Sequence, residues 1–211
     1  MPSNKWDTEY FENEFDEADP WDFESSDYEQ KKYTRQIRVL DEHVGGVDSI
    51  LELGCAEGVH SELLLEAFPD AKLTGIDISS KAIGRARDRL ATNRASFVAG
   101  NIAEEVAELD QSFDAIVWSE TIYYIGDSIS TTEMYSLIST VADLLDTGGV
   151  LCLANIIEQE DTPETALTRE PVLESYRQMI AAELHRVHHA EYTETKAGDK
   201  HTYQIWAYTA D

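Results

Sequence analysis

The stretch Ser-Ile-Leu-Glu-Leu-Gly-Cys-Ala-Glu-Gly at positions 49–58 decides the fold of this chain. Its first half is a short apolar run, which is typical of a buried strand in a parallel sheet. Gly54, Ala56 and Gly58 then form a turn with almost no side-chain bulk, where a ligand can approach the main chain closely. An amphipathic helical pattern follows from Val59. Strand, small-residue turn and helix together predict a nucleotide-binding α/β unit, with the ligand at the helix N-terminus.

Strand and helix patterns alternate through the rest of the chain, which predicts a parallel core with helices on both faces. The last two strands alternate polar and apolar residues and are joined around Gly198-Asp199, which predicts an antiparallel hairpin. We therefore expect an α/β, Rossmann-like three-layer sandwich with a mostly parallel seven-stranded sheet and a C-terminal hairpin. The predicted strands cover residues 50–53, 72–76, 96–99, 113–118, 150–156, 186–194 and 201–209. The predicted helices cover residues 26–44, 59–68, 79–90, 103–109, 132–145 and 164–184, the last interrupted near Pro171.

Length and composition indicate one domain of ordinary size, since the chain has 211 residues. We expect an acidic, aromatic-containing arm at residues 1–25, followed by one folded domain at 26–211. No apolar run long enough to span a membrane and no cationic leader is found, so neither a membrane span nor a cleaved signal is expected. Cys55 and Cys152 lack the spacing of a disulfide framework or a metal site. This usage favours reduced thiols and a cytoplasmic protein.

The charge balance is extreme, with 42 acidic and 16 basic residues and a net charge of −26. The acids are spread along the whole chain, and high negative charge keeps a protein soluble at the cost of self-repulsion. We interpret this composition as adaptation to high internal salt, which screens the repulsion over a few ångströms. A sharper alternative is that the acids attract a cationic substrate. Binding to nucleic acid is not expected, because the sequence has no basic patch.

The N-terminal region combines two signals. Aromatic residues interleave with the acids of the arm, so that part of the arm is expected to dock, either as a simple cover or as a substrate lid. Ser26 to Glu29 reads as a capping box that starts a helix. Four basic residues within eight positions lie on this helix, and they form either a surface face or a partner for a ligand carboxylate. These residues are Lys31, Lys32, Arg35 and Arg38.

Asp77 follows the second strand, 23 positions after Gly54. A carboxylate at this offset from a glycine turn can accept hydrogen bonds from both ribose hydroxyls of a bound adenosine, in nicotinamide and S-adenosylmethionine sites alike. The residues of the turn distinguish a nicotinamide site from an S-adenosylmethionine site. A dinucleotide fingerprint needs a small residue at position 59, which is valine, whereas the spacing G-x-A-x-G preceded by Glu52 is the form that methyltransferases use.

At this level the chain resembles the class I S-adenosylmethionine-dependent methyltransferases, and most of all the nodulation N-methyltransferase family. That family methylates the free amine of a glucosamine in lipo-chitooligosaccharide signals. The resemblance covers about residues 19–155 and leaves the C-terminal third unmatched. The matching stretches are Asp-Pro-Trp at 19–21, Tyr-Glu-Gln-Lys-Lys-Tyr-Thr at 28–34, Leu-Glu-Leu-Gly-Cys-Ala-Glu-Gly at 51–58, Ala-Ile-Gly-Arg-Ala at 82–86 and Ser-Glu-Thr-Ile-Tyr-Tyr at 119–124.

The resemblance implies in-line transfer of the sulfonium methyl of S-adenosyl-L-methionine to a small-molecule acceptor, with S-adenosyl-L-homocysteine as product and an amino-sugar amine as the expected nucleophile. The implied catalytic residues are Glu120, which either holds or deprotonates the amine or instead binds the cofactor's ammonium through water, and Tyr123 and Tyr124, which shape the acceptor pocket. The implied cofactor-binding residues are Trp21, Lys32, Arg35, Glu52, Gly54, Cys55, Ala56, Gly58, Asp77, Ile78, Asn101, Ile102 and Ser119.

Two other function classes stay open on sequence alone. One is a NAD-dependent oxidoreductase, which Val59 and the terminal hairpin disfavour. The other is a non-catalytic nucleotide-cofactor-binding domain, because a fold does not guarantee activity. No metal site is expected, since the spacing of His185, His188 and His189 crosses a helix-to-strand transition. A monomer and a homodimer are equally compatible with the sequence.

Overall fold

The computed structural model describes residues 6–159 and 170–211, which contain seven strands in one sheet. The strands are β1 (Ser49–Leu53), β2 (Lys72–Asp77), β3 (Ala95–Ala99), β4 (Phe113–Ser119), β5 (Leu145–Gln159), β6 (His185–Lys196) and β7 (Asp199–Thr209). Their order across the sheet is β3-β2-β1-β4-β5-β7-β6. The first five are parallel, and β7 pairs antiparallel with both β5 and β6. The predicted mostly parallel sheet with a C-terminal hairpin is confirmed.

Helices cover both faces of the sheet and complete three layers. The described helices are α1 (Thr8–Glu14), α2 (Asp27–His43), α3 (Val59–Ala67), α4 (Ser80–Arg89), α5 (Ile102–Glu105), α6 (Ile122–Gly126), α7 (Thr131–Asp143) and α8 (Glu170–Glu183). Residues of α2, α3 and α4 form one apolar core against the sheet, whereas α6, α7 and α8 form the other. None of the helices in the described ranges is long and apolar enough to cross a membrane.

Strand β1 shows why the sequence folds in this way. Leu51 and Leu53 belong to one core and Ile50 to the other, because successive side chains of a strand point to opposite faces. All three are at most 1% exposed. Burial of each contributes about 1.5–3 kcal/mol relative to full exposure, so a continuous apolar run is stable only between two covered faces.

One prediction of local structure, the capping box at the start of α2, is wrong. Ser26 occupies the N-cap position of α2, but its side chain makes no capping hydrogen bond. Glu29 instead forms ion pairs with Lys32 and Lys196, so the reciprocal capping box does not form. The hairpin turns at residues 197 and 198, in the region around Gly198-Asp199 that the sequence predicts, and φ there is 54° and 100°. Two successive positive φ angles match the right-handed twist of the flanking strands.

The interruption predicted near Pro171 stays a prediction, because it depends on the residues that precede Glu170. Among the described residues, α8 covers Glu170–Glu183 and includes Pro171. Residues 164–169 of the predicted helix lie outside the described ranges. The short helices α1 and α6 had no counterpart in the prediction. Both border the carboxyl ends of the parallel strands.

Candidate active site

A cavity of about 530 Å³ opens at the carboxyl ends of the parallel strands, beneath residues 6–23 of the N-terminal arm. Ligands of open α/β sheets bind at this edge. The structure brings twelve of the predicted site residues to its wall. They are Trp21, Lys32, Gly54, Ala56, Asp77, Ile78, Asn101, Ile102, Ser119, Glu120, Tyr123 and Tyr124.

The bend after β1 forms the floor of this cavity. Gly54, Ala56 and Gly58 have φ angles of 82°, 47° and 77°, which are the left-handed values that favour glycine. A Cβ added to Gly54 would lie 2.2 Å from Cγ2 of Thr121, so the two loops touch without room for a side chain. The Gly54 N–H is satisfied by the Ile76 carbonyl at 2.8 Å. The bend is therefore a rigid surface made largely of main chain.

Asp77 lies beside the bend at the end of β2. Its Oδ2 accepts the Ala56 N–H and its Oδ1 accepts the Ser79 N–H, both at 2.9 Å. The residue is only 7% exposed, and this burial raises the pKa of the carboxyl to about 6 even though the two N–H donors act to lower it. Each oxygen has a second lone pair, so the carboxylate can accept two more hydroxyl donors.

The ends of β3 and β4 carry the next polar groups. Asn101 is the N-cap of α5, and its Oδ1 accepts the Ala103 N–H at 3.0 Å. Its Nδ2 therefore remains as the group that can read an edge of a ligand. Ser119 Oγ is buried and has no hydrogen-bond partner among the described residues. Because a buried hydroxyl is costly unless it is paired, Ser119 marks a place where a ligand or a water molecule belongs.

Glu120 is held by the most donors in the cavity wall. Oε2 accepts the Tyr123 Oη and the Ile156 N–H at 3.0 Å each, and Oε1 accepts Lys32 Nζ at 3.1 Å. Its φ of 58° is unusual for a residue that is not glycine, and such strain persists only where the surroundings impose it. Burial and the Glu120 charge together raise the pKa of the Tyr123 phenol, so this phenol stays protonated and donates.

A row of alternating charges runs along one wall of the cavity. Lys196 Nζ lies 2.6 Å from Glu29, and Lys32 Nζ lies 2.7 Å from Glu29 and 3.1 Å from Glu120. We call these four residues the charge row. Burial alone would lower the pKa of Lys32, but Glu120 and Glu29 outweigh burial and raise it. Lys32 and Lys196 likewise outweigh burial at Glu29 and hold the pKa of its carboxyl below the usual value.

Four predicted residues lie outside the main cavity. Glu52 and Cys55 line a small adjoining cavity of about 50 Å³, and Glu52 accepts a hydrogen bond from Ser61. Arg35 and Gly58 line neither of these two cavities. The Arg35 guanidinium pairs with Glu194 at 2.6 Å and bonds to the Tyr203 hydroxyl, so it fastens α2 to the hairpin instead of facing a ligand. Gly58 is the N-cap of α3.

Sequence reasoning missed several residues of the cavity wall. Tyr28 and Glu29 belong to a stretch that carries the resemblance, but the sequence predicts a site role for neither and only a capping role for Glu29. Lys196 and His201 reach the cavity from the hairpin, because β7 pairs with β5. Their separation in sequence from the bend left no local pattern that could have found them.

The N-terminal arm closes the cavity from above. Trp6 and Phe11 pack edge-on against Tyr124, with ring centroids 4.9 and 5.3 Å away. The Glu12 carboxylate accepts the Ser80 N–H at 2.8 Å, at the N-terminus of α4. A carboxylate is favourable at that end of a helix. Aromatic contacts and helix capping thus hold this part of the arm on the domain.

The histidines of β6 have separate surroundings. His185 lies 2.9 Å from Asp211, and His189 stacks on Trp206 with a centroid distance of 3.8 Å. His188 lies edge-on to His43. Among residues 6–159 and 170–211, no group of three or more His, Cys, Asp or Glu side chains is arranged to hold a metal ion.

Comparison of the sequence with known families gives one family match. The model of the family described as Nodulation protein S (NodS) matches residues 3–159. Nodulation protein S of Bradyrhizobium diazoefficiens is 32% identical over 135 residues, which make up 64% of this chain and 61% of that protein. Nodulation protein S of Rhizobium tropici is 31% identical over 134 residues, which make up 63% of this chain and 53% of that protein. The chain thus spans between about half and two thirds of these curated relatives.

Solved structures agree with the family match. The N-methyltransferase NodS from Bradyrhizobium japonicum WM9 in complex with S-adenosyl-L-homocysteine has a TM-score of 0.74 at 26% identity, covering 94% of this chain and 97% of that chain. A TehB-like SAM-dependent methyltransferase from Corynebacterium glutamicum has a TM-score of 0.59 at 14% identity, covering 83% and 87% of the two chains, and shows the fold alone. Since the family match extends over well more than half of the residues, this chain belongs to the Nodulation protein S family.

Proposed function

We propose that this chain is an S-adenosylmethionine-dependent methyltransferase that methylates the nitrogen of a small amine, with an amino sugar as the substrate class. One observation carries the proposal. A single cavity joins a bend made of main chain and the buried Asp77 carboxylate to the Glu120 carboxylate. The similar N-methyltransferase NodS, whose structure was solved with S-adenosyl-L-homocysteine, supports both the cofactor and the reaction class.

The residues present fit S-adenosylmethionine. The bend leaves no room for a side chain at Gly54, which allows a ligand to lie directly on the main chain. Asp77 has two lone pairs to spare for ribose hydroxyls, and the Ser119 hydroxyl needs a partner. A NAD-dependent reaction lacks such support, because Val59 at the start of α3 fills the position that a dinucleotide fingerprint reserves for a small residue.

Each end of the cofactor has its own set of residues in this proposal. The main chain of Gly54 to Ala56 contacts the methionine part, with Lys32 and Trp21 beside it. Asp77 holds the ribose. Ile78, Asn101 and Ile102 border the adenine, and Asn101 Nδ2 donates to it. Glu52 and Cys55 support the bend from the adjoining cavity, since Glu52 is buried and bonded to Ser61.

Glu120 serves the acceptor. A carboxylate has about four acceptor positions, and the Tyr123 hydroxyl, the Ile156 N–H and Lys32 occupy three of them. The remaining position accepts an N–H of the amine, which orients its lone pair and stabilises the positive charge that develops on nitrogen. Tyr123 and Tyr124 form the walls around this point. S-adenosylmethionine supplies an activated methyl group on a sulfonium.

We attribute the high negative charge of the chain to the environment in which the protein works and not to the methyl-transfer reaction. The net charge is −26, and the acids are distributed along the sequence. We infer adaptation to a cytoplasm of high salt, in which counterions screen repulsion between surface carboxylates. The two free, buried cysteines are compatible with a reducing compartment. A free energy of unfolding that rises from low to molar KCl would support this inference.

Methyl transfer to a panel of acceptors tests the proposed function. The purified chain is incubated with methyl-labelled S-adenosylmethionine and glucosamine, chitooligosaccharides with a free terminal amine, or simple amines. We expect label on the nitrogen of at least one amino sugar, with Glu120→Gln lowering kcat by about 100-fold, the usual scale for loss of one preorganised electrostatic contact. Glu108→Gln, an exposed carboxylate outside the cavity, is the matched control and should leave kcat unchanged.

Two results would count against the proposal. Binding of S-adenosylmethionine without transfer to any acceptor of the panel would favour a non-catalytic cofactor-binding domain. Transfer only to oxygen or carbon acceptors would retain the methyltransferase and overturn the amine assignment. Calorimetry with NAD covers the oxidoreductase alternative, because tight binding of NAD alone would replace the proposal.

A further inference from the structure

The charge row is unevenly exposed along its length. The side chains of Glu29 and Lys32, in the middle of the row, are 5% and 4% exposed. The end members Glu120 and Lys196 are each 22% exposed. Each middle residue has two charged partners of opposite sign, whereas each end residue has one. Two carboxylates and two ammonium groups make the row neutral in total, but its ends are incompletely compensated.

This arrangement determines the charge that Glu120 presents to the cavity. If Lys32 had Glu120 as its only partner, the ammonium would cancel most of the carboxylate's field. Glu29 shares the same ammonium at the shorter distance of 2.7 Å, compared with 3.1 Å for Glu120. These charges lie a few ångströms apart and are partly shielded from water, so the Coulomb energy between them is larger than it would be in solvent. The second negative partner of Lys32 therefore has a large effect on how much of the Glu120 charge is cancelled. Glu120 is thereby left with surplus negative charge on its exposed side.

We propose that Glu29 is a positioning residue for methyl transfer: by sharing Lys32, it keeps the field of Glu120 negative at the point where positive charge passes from sulfur to nitrogen. The inference rests on the proposed function only in taking Glu120 as the residue nearest that point. Glu29 itself acts through Lys32 and Glu120. Its Oε1 accepts a hydrogen bond from Lys196, and its Oε2 lies 2.7 Å from Lys32 Nζ as an ion pair without a hydrogen bond.

Lys196, on the C-terminal hairpin, is the end member of the charge row beyond Glu29. Its Nζ donates to Glu29 at 2.6 Å and to the Trp21 carbonyl at 2.8 Å, so one ammonium ties the far end of the row to the N-terminal arm. Without this partner, Glu29 would be a buried carboxylate whose one remaining counter-charge is Lys32. Lys196 lies outside residues 3–159, the part of the chain that the family model matches. The other three members of the row, Glu29, Lys32 and Glu120, lie within the matched residues.

A pair of cofactor ligands measures the field without any acceptor. S-adenosylmethionine carries one more positive charge than S-adenosylhomocysteine, so the ratio of their dissociation constants reports the potential at the sulfur. In Glu29→Gln the row becomes positive, and we expect the ratio Kd(S-adenosylmethionine)/Kd(S-adenosylhomocysteine) to rise about tenfold by calorimetry, a change typical of one nearby charge at an effective dielectric constant of about 20. Glu29→Asp keeps the charge and should restore the ratio to within about threefold of the native value.

Two further variants separate the alternatives. Asp114→Asn removes a charge at the opposite edge of the sheet, where Asp114 accepts from the Ser49 N–H at 2.9 Å, and it should leave the ratio unchanged. Glu120→Gln should raise the ratio at least as much as Glu29→Gln. An effect of Glu120→Gln without any effect of Glu29→Gln would overturn the role of Glu29 and leave the proposed function intact. No effect of either variant would instead remove Glu120 from the transfer point, and failure of both ligands to bind would reject the cofactor itself.

Discussion

The two ends of the cavity are built in different ways. The central part of the cofactor end, which is the bend and the ends of β1 and β2, lies within residues 49–77. The acceptor end combines residues from α2, from β4 and α6, and from the hairpin, up to 167 positions apart in the case of Glu29 and Lys196. The first is mostly main chain in fixed conformations, and the second is mostly long charged and aromatic side chains.

The difference teaches how the two ends acquire precision. Main-chain geometry at the cofactor end is imposed by strand pairing on both sides of β1, so it tolerates few substitutions. The acceptor end depends on ion pairs between side chains, which lose more conformational entropy when they are fixed. We therefore expect substitutions at the cofactor end to affect both folding and ligand affinity. Those at the acceptor end should affect charge and specificity.

The largest effect that would test this contrast is expected at Gly54. Gly54→Ala forces a non-glycine residue to a φ of 82° and places a methyl group 2.2 Å from Thr121 Cγ2. Left-handed strain and overpacking together should cost about 3 kcal/mol of unfolding free energy. Gly148 is the matched control, since its φ is 78° but no heavy atom lies within 4 Å of an added Cβ. Gly148→Ala should therefore cost only about 1 kcal/mol, for strain alone.

Urea unfolding of both variants measures the difference, and calorimetry with S-adenosylhomocysteine follows the site. Equal losses of stability in the two variants would mean that Thr121 gives way, and the bend would then be less rigid than its contacts indicate.

The cofactor end was largely predictable from sequence because its signals are local. The apolar run of β1, the turn residues and the Asp77 offset all lie within one strand–turn–helix unit and the next strand. The acceptor end was not predictable in the same way. Nothing near Lys196 or His201 indicates that β7 inserts between β5 and β6, and that insertion is what brings the hairpin to the cavity.

The same reasoning explains the individual errors. Ser26 and Glu29 have the spacing of a capping box, but two lysines attract the Glu29 carboxylate more strongly than a backbone N–H does, and one of them is far away in sequence. Arg35 lies one helical turn beyond Lys31, and the sequence predicts that it binds the cofactor together with Lys32. The face of α2 that bears Arg35 packs on the hairpin instead, where the guanidinium lies 4.0 Å from the Tyr192 ring. Periodicity alone could not assign these faces to a partner.

A pH effect of intermediate size sharpens the comparison at Asp77. Burial raises the pKa of its carboxyl to about 6 in the protein without ligand. Ribose hydroxyls donate to the ionised form, so cofactor binding should expel a proton below that pH. The dissociation constant of S-adenosylhomocysteine should therefore rise about tenfold for each pH unit below about 6 and level off above it. Asp77→Asn should weaken binding by about 1.5 kcal/mol at pH 8 and remove this pH dependence.

Calorimetry between pH 5 and pH 8 on the native chain and on Asp77→Asn provides both results. As pH falls, ligand affinity should decrease, whereas the contribution of Asp77 to the free energy of unfolding of the native protein should increase. The reason is that a raised pKa means that the folded state gains stability as pH falls from 7 through 6. A dissociation constant that is independent of pH in the native chain would show that Asp77 does not contact the ligand in its ionised form.

The smallest effect is expected at the hairpin turn, where a substitution should increase the free energy of unfolding, whereas Gly54→Ala should decrease it. Ala197 has a φ of 54° and is followed by Gly198 at 100°, a turn in which Asn-Gly is the favoured pair. Ala197→Asn should raise the free energy of unfolding by about 0.5–1 kcal/mol, because asparagine tolerates the left-handed region better than alanine does. Ala190→Asn, within β6, should instead lower it, since asparagine is disfavoured in strands.

Urea midpoints of the two variants decide the stability question, and the ratio of cofactor affinities decides the functional one. Because position 197 adjoins Lys196, a better-formed turn should leave the ratio of S-adenosylmethionine to S-adenosylhomocysteine affinity unchanged if Lys196 is already fixed by Glu29 and the Trp21 carbonyl. A stabilised hairpin with an altered ratio would mean that turn geometry, and not the ion pairs, sets the position of Lys196. The acceptor end would then depend on main-chain conformation in the same way as the cofactor end, and the contrast between them would fail.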